Sequence, residues 1–154
     1  VSADRPLING IDTYWKDSLP ALANANLNGA TKKFGNGSVL LLLTDRNKAS
    51  DNFWFSLFHE IGHILQNDFS SDDEASDSYR RSEEQADQFA KDLLIAPQDY
   101  QRFIDEACFD KQAIKKFADE IGIHPSIVLG RLQNDEYLGY DQFRDLKVNY
   151  YLVS

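Results

Sequence analysis

The chain has 154 residues, of which 42% are hydrophobic, and it includes ten Phe, seven Tyr and two Trp. That is enough apolar material to bury a core, which excludes a disordered chain and predicts a single domain over residues 1–154. Sixteen Lys and Arg against 25 Asp and Glu leave a net charge of -9, which repels nucleic-acid phosphates and anionic membrane surfaces. We therefore expect neither direct nucleic-acid binding nor membrane binding.

Cysteine and methionine usage indicate the compartment and the extent of the chain. The one cysteine, Cys108, leaves no partner for an internal disulfide and fits a reducing, cytoplasmic compartment. No apolar run approaches the roughly 20 residues that span a bilayer, and no signal-peptide core is visible. Because the sequence opens with Val and contains no Met, we expect a fragment or processed form of a longer chain.

The first third of the chain predicts one helix and two strands. Apolar residues at a spacing near 3.6 predict an amphipathic helix over 7–19. The small, polar residues 21–38 predict a short strand and then a turn around Gly35–Gly37. The run "SVLLLLT", residues 38–44, predicts a strand buried on both faces.

The remaining two thirds predict mostly helices, so the fold class expected is α+β, with a small sheet packed on the helix that contains "NFWFSLFHEIGHILQND" (52–68). That helix has Ser50 or Asp51 available as its N-cap. The acidic, serine-rich residues 67–80 predict an exposed loop, and Ser82 with Gln85 forms a capping-box signature for the next helix. Further helices are predicted over 98–108, 111–121, 125–133 and 141–146, followed by a terminal strand in "VNYYLVS".

The stretch 52–68 places His59 and His63 four residues apart, with Glu60 directly after the first. In a helix these histidines lie one turn apart on one face and can aim at one zinc ion, while Glu60 can reach a water bound to it. With three His and seven Glu in the chain, chance would produce the pattern in roughly one such sequence in several hundred. The pattern therefore predicts zinc-dependent hydrolysis with Glu60 as general base, rather than a core helix with incidental histidines.

A third protein ligand is expected from the segment "SEEQADQFA". Glu83 is the first candidate and Glu84 its rival, since the two side chains point about 100° apart on a helix. Asp87 follows Glu83 by one turn and can accept a hydrogen bond from the far nitrogen of a ligand histidine. The simpler alternative is that the two glutamates only favour the positive end of the helix dipole.

Three further polar residues are candidate stabilisers of a transition state: His124, Tyr79 and Arg131. For His124 we favour the alternative that it begins a helix and makes a structural hydrogen bond. Arg131 poses the same choice, and Tyr79 fits packing as well as oxyanion stabilisation.

Three segments, "FWFSLFHEIGHILQ", "EEQADQFAKDLLIAP" and "IGIHPSIVLGRLQ", occur in an order that resembles the ImmA/IrrE family of metallopeptidase domains over roughly residues 20–147. The resemblance implies a gluzincin-like α+β fold, zinc held by His59, His63 and Glu83, and Glu60 as general base. It also implies that Asp87 orients His59 and that a strand such as 38–44 forms the sheet edge beside an extended peptide.

The resemblance supports two functional hypotheses. Characterised relatives resemble intracellular proteases that cut helix-turn-helix repressors and switch on mobile-element transfer or stress responses, which predicts a zinc endopeptidase acting on a regulatory protein. Others carry an upstream helix-turn-helix domain and resemble antitoxin-like transcription regulators. That second group predicts a module that binds a partner or senses a signal without proteolysis.

Overall fold

The computed structural model describes residues 29–43, 49–69 and 76–150. In this part the chain forms two strands, then five α-helices and a 3-10 helix: β1 (Gly29–Lys33), β2 (Val39–Leu43), α1 (Ser50–Leu65), α2 (Asp77–Leu94), α3 (Pro97–Asp105), α4 (Lys111–Ile121), α5 (Pro125–Asn134) and the 3-10 helix Arg144–Leu146. The fold is mainly helical with a small sheet, which confirms the α+β class. The helix predicted over 7–19 lies outside the described residues.

The sheet is an antiparallel hairpin whose strands pair from Gly29 opposite Leu43 to Lys33 opposite Val39. The connecting turn requires a glycine, because Gly37 has φ +85°, a backbone conformation that other residues rarely adopt. The predicted strand, turn and strand are therefore confirmed. The expected burial of β2 on both faces is not met within the described part of the chain, where Val39 is exposed and the other four residues are half-buried.

The apolar core lies among the last three helices and the 3-10 helix, away from the hairpin. Its buried members are Ile95, Tyr100, Phe103, Ile114, Phe117, Ala118, Val128, Leu129, Leu132 and Leu146. The rings of Phe103 and Phe117 stack at 4.3 Å between centroids, which joins α3 to α4. None of the described helices is both long and apolar enough to cross a membrane.

The N-terminus of α1 is buried against α5 and residues 147–149. Ala49 occupies the N-cap position, so the prediction of Ser50 or Asp51 as the cap is wrong. Both side chains make tertiary contacts instead: the hydroxyl of Ser50 lies 2.7 Å from that of Ser126, and Asp51 pairs with Lys147. The predicted terminal strand is reduced, among the described residues, to a single antiparallel bridge between Ala49 and Asn149.

The second helix begins earlier than its capping-box signature predicts. Its first residue is Asp77, and Ser76 is the N-cap, with a side chain that accepts a hydrogen bond from the backbone N–H of Tyr79 at 3.1 Å. The prediction of a helix start at Ser82 is therefore wrong, as is a loop that extends to residue 80. Ser82 is instead buried within α2, where its hydroxyl contacts His63 of α1 and Asp68 in the segment that follows α1.

The helices α1 and α2 pack against each other at a glycine. A Cβ atom added at Gly62 would lie 3.2 Å from the backbone Cα of Ala86 and 3.2 Å from the ring of Phe89. The helix-propensity cost of Gly62, about 1 kcal/mol relative to Ala, is thus offset by the close approach that it permits. This contact places the histidine face of α1 directly opposite α2.

Candidate metal centre

The two histidines of α1 converge as their spacing predicts. The Nε2 atoms of His59 and His63 lie 3.1 Å apart. Both imidazoles are largely buried, with side chains 15% and 11% exposed. They share one helix face because positions four apart lie a single turn from each other.

Glu83 of α2 completes a group of three ligand atoms. Its carboxylate oxygens lie 3.4 Å from Nε2 of His59 and 3.2 Å from Nε2 of His63. One ligand atom from each of the three residues lies within 4.8 Å of the others. Glu84 is exposed and does not belong to this group. Because α2 starts at Asp77, Glu83 stands beyond the first turn, where a helix-dipole role loses its force.

The chemistry of these groups suits a cation. Oδ1 of Asp87 lies 2.7 Å from Nδ1 of His59. Because an ionised carboxylate only accepts hydrogen bonds, Nδ1 of His59 carries the proton and its Nε2 presents a lone pair to the centre. That lone pair and the carboxylate of Glu83 face each other across a few ångströms, an arrangement that a bound metal ion would satisfy.

Glu60 lies beside the hairpin and is 7% exposed. Burial raises the pKa of Glu60, although His59, His63 and a hydrogen bond with Thr31 partly oppose that rise. A carboxylate with a raised pKa holds a proton more readily than an ordinary glutamate, which suits a general base.

The pKa of His59 is also raised. Burial by itself lowers that pKa, but the hydrogen bond and charge of Asp87, together with the charges of Glu83 and Glu60, outweigh burial. The charge of the surrounding carboxylates therefore attracts positive charge to the place where the histidines converge.

The cleft over the centre has β1 as one wall. Gly29, Ala30 and Thr31 line it, together with aromatic side chains that include Phe69 and Tyr79. The strand expected beside an extended peptide was 38–44, but within the described chain that wall is β1, and β2 lies behind it as its hairpin partner. The reason is the hairpin's position: the close packing of Glu60 against Gly29 brings β1 to the centre.

Of the three candidate stabilisers, the structure brings Tyr79 into the cleft and places the others elsewhere. His124 is the N-cap of α5, where its Nδ1 accepts a hydrogen bond from the backbone N–H of Ser126 at 3.1 Å. Arg131 stacks over the ring of Tyr100 at 4.2 Å and donates to Asp135 at 2.5 Å. Neither His124 nor Arg131 lines the cleft, and each side chain has a partner elsewhere, in keeping with the structural interpretation favoured for His124.

Sequence reasoning missed the neighbours of His63 and Glu60. The hydroxyl of Ser82 lies 3.3 Å from Nδ1 of His63 and donates to Asp68, and Thr31 bonds Glu60. The sequence analysis assigned Ser82 to a capping box, so its position beside His63 was not predicted. Thr31 has no signal of its own, because its role depends on where the hairpin folds back.

The two histidines of α1 and Glu83 of α2 form a group that could hold a metal ion, and the buried Glu60 follows the first histidine. The domain is metallopeptidase-like. The chain belongs to a peptidase family described as the IrrE N-terminal-like domain, whose profile matches residues 26–132. This match confirms the resemblance seen in the sequence. No curated protein and no solved structure matches the chain significantly.

Proposed function

We propose that this domain is a zinc-dependent endopeptidase in which His59, His63 and Glu83 hold the metal and Glu60 is the general base. The observation that carries the proposal is the convergence of the three ligand atoms within 4.8 Å, from two helices, beside a buried glutamate. A closed structural zinc site would need a fourth protein ligand, whereas the three ligands found among the described residues leave a position for water. Membership of a peptidase family supports a protein substrate.

Each residue has a distinct task in peptide hydrolysis. Zinc bound here would supply Lewis acidity, which polarises a carbonyl and makes water acidic enough to lose a proton near neutral pH. The carboxylate of Glu60 accepts that proton as the water oxygen bonds to the peptide carbonyl carbon, and it then delivers the proton to the leaving amine as the C–N bond breaks. Asp87 orients His59 through the hydrogen bond at Nδ1.

The substrate that we propose is a cytoplasmic regulatory protein of the helix-turn-helix repressor type. A protein chain must enter the cleft in an extended conformation to place one carbonyl at the centre, and β1 offers a strand beside it. A flexible segment of a repressor meets that requirement better than its packed helices do.

The test joins metal analysis with cleavage of the candidate repressor by the purified protein. We expect one zinc per chain, cleavage by the wild type, and loss of cleavage with zinc retained in Glu60→Gln. Glu83→Gln should lose zinc, whereas Glu84→Gln, its exposed neighbour, should retain both zinc and cleavage.

Two results would count against the proposal. Absence of zinc after it is supplied at neutral pH would end the metal-site argument. Zinc without Glu60-dependent cleavage would support the alternative of a non-proteolytic, antitoxin-like regulatory module that keeps the metal site and acts by binding.

A further inference from the structure

We infer that Ser82 and Asp68 form a hydrogen-bonded relay that holds His63 in the tautomer required for metal binding. The inference rests on the proposed zinc site and adds positioning residues to it. Ser82 lies on α2, 3.3 Å from Nδ1 of His63, and its hydroxyl donates to Oδ2 of Asp68, just after the end of α1. Ser82 is 9% exposed, so these two partners, rather than bulk water, satisfy its hydroxyl.

The direction of each hydrogen bond follows from the number of protons available. An ionised carboxylate only accepts, so the single hydroxyl proton of Ser82 points to Asp68. The oxygen of Ser82 then faces His63 as an acceptor, and Nδ1 of His63 must carry the proton that joins them. A neutral imidazole has one N–H, so Nε2 of His63 is left with its lone pair facing the centre.

The carboxylate at the end of the relay is itself held in place. The backbone N–H of Asp68 donates to the carbonyl of His63 at 3.0 Å, which ties the relay to the ligand it orients. The next residue back, Asn67, accepts a hydrogen bond from Lys33 of β1 at 2.7 Å. The segment after α1 is therefore fixed both to its own helix and to the hairpin.

The two ligand histidines thus reach carboxylates by different routes. His59 donates directly to Asp87, whereas His63 reaches Asp68 through the hydroxyl of Ser82. Such outer contacts fix the tautomer and ring orientation of metal-binding histidines. The relay also explains why a serine stands buried in the middle of α2, where a hydroxyl has no capping role.

The first test measures zinc affinity by competition with a chromogenic chelator. Ser82→Ala should weaken zinc binding by about 10- to 100-fold, and Ser82→Thr, which keeps a hydroxyl, should recover most of the loss. The matched control is Ser78→Ala, an exposed serine one turn earlier on the same helix, which should bind zinc as the wild type does. Wild-type affinity in Ser82→Ala would overturn the relay.

A second variant tests whether Asp68 acts through Ser82. Asp68→Ala should also weaken zinc binding, and the double variant Asp68→Ala with Ser82→Ala should be no weaker than Ser82→Ala alone. Additive losses would overturn the relay, because they would mean that the two residues act independently. Circular dichroism of each variant checks that the helices are intact.

A third measurement needs no variant and decides the matter if Ser82→Ala does not fold. Proton NMR of the zinc-loaded wild type reports whether the ring N–H at Nδ1 of His63 is hydrogen-bonded. A downfield signal that exchanges slowly with water supports the relay, and a signal that exchanges as fast as a solvent-facing ring N–H overturns it.

Failure of the relay and failure of the proposed peptidase give different results. Zinc binding with the expected Ser82 dependence but without cleavage would reject the peptidase and keep the relay. Equal zinc affinity in the wild type and Ser82→Ala would reject the relay and keep the peptidase. A wild-type protein with no zinc affinity would overturn both.

Discussion

At the scale of single residues, the position of the Glu60 carboxylate depends on a glycine in the neighbouring strand. A Cβ atom at Gly29 would lie 2.8 Å from Cγ and 2.9 Å from Oε1 of Glu60, closer than such atoms approach. The strand and the glutamate therefore occupy their places only because residue 29 has no side chain.

We expect Gly29→Ala to lower peptidase activity by about 10-fold or more while zinc binding persists, because a displacement near 1 Å of a catalytic group costs up to about 100-fold in rate. The measurement pairs hydrolysis rates with zinc content. Gly35→Ala is the matched control, since a Cβ atom at Gly35 meets nothing within 4 Å. Equal losses in the two variants would argue that the hairpin, and not Glu60, is affected.

The residues of the metal centre differ in how far the sequence could predict them. His59 and His63 lie four residues apart on α1, with Glu60 directly after the first, and Glu83 and Asp87 lie four apart on α2. Helical spacing alone therefore brings each of these two pairs to one face. Thr31, Ser82 and Asp68 join the centre through contacts between separate segments, which no local spacing encodes. The sequence could therefore predict the proposed metal ligands. It could not predict the residues that contact Glu60 and His63 from other segments.

At the scale of the elements, the start of α2 is set by Ser76. Its side chain accepts from the N–H of Tyr79, which satisfies one of the backbone donors that every helix leaves unpaired at its N-terminus. The capping-box signature predicted the helix start at Ser82, whereas the N-cap is Ser76, which the sequence analysis did not single out. Ser82 does not cap the helix because it is buried in contacts with other segments, whereas Ser76 lies at the end of the helix.

We expect Ser76→Ala to lower the free energy of unfolding by about 1 kcal/mol, the usual cost of losing an N-cap side chain. Chemical denaturation provides the measurement. Ser76→Asn, which preserves a capping oxygen, should keep wild-type stability. A full loss in Ser76→Asn as well would show that capping is not what Ser76 contributes.

The helices predicted over 111–121 and 125–133 kept their boundaries to within a residue, whereas the helix predicted over 98–108 ends at Asp105 and the one over 141–146 is a 3-10 helix at Arg144–Leu146. The predicted helix over 111–121 is α4 itself, because Asp110 caps its start and Gly122, with φ +74°, ends it. At the start of α1 the predicted cap was wrong, because the side chains of Ser50 and Asp51 make tertiary contacts instead. A local sequence pattern cannot show which of its residues will be buried by segments distant in the chain.

At the scale of the whole molecule, one carboxylate ties together three helices. Asp135, at the end of α5, accepts from Arg131 at 2.5 Å and from the hydroxyl of Tyr100 at 2.8 Å, and it lies 3.6 Å from Nζ of Lys91. Partial burial alone would raise the pKa of Asp135, but the hydrogen bonds and positive charges outweigh burial and hold that pKa below its ordinary value. Burial and the bond to Asp135 raise the pKa of Tyr100.

A lowered pKa in the folded state means that ionised Asp135 stabilises the fold above the pKa it has when unfolded, near 3.9. That stability is lost as the pH falls through the lower folded value. We expect Asp135→Asn to cost about 1–2 kcal/mol at pH 7 and progressively less below about pH 4. Denaturation at several pH values measures this difference.

The control for that acid profile is Asp119→Asn, an exposed side chain of α4 that should change stability by less than about 0.5 kcal/mol throughout. A cost for Asp135→Asn that stays constant down to pH 3 would contradict the assignment. The remaining explanation would then be packing of the side chain rather than its charge.

Removal of the metal tests how much of the free energy of unfolding depends on the proposed site and how much on the apolar core. The buried apolar cluster lies among α3, α4 and α5, whereas the ligands lie on α1 and α2. We expect chelation to leave helical content unchanged and to lower stability only by the binding term, about 2.7 kcal/mol if free zinc stands at roughly 100 times its dissociation constant. Collapse of the circular-dichroism signal on chelation would show that the metal is required for folding.

The contact between Gly62 and Ala86 has a consequence for the evolutionary history of such a domain. Backbone atoms fix the helix pair there, two residues after Glu60, and that contact does not depend on which side chain residue 60 carries. In the proposed peptidase, one substitution at residue 60 would therefore stop hydrolysis and leave in place the helix pair that carries the proposed ligands. A descendant of the proposed enzyme with that substitution would keep the contact between Gly62 and Ala86, and selection could then act on binding alone.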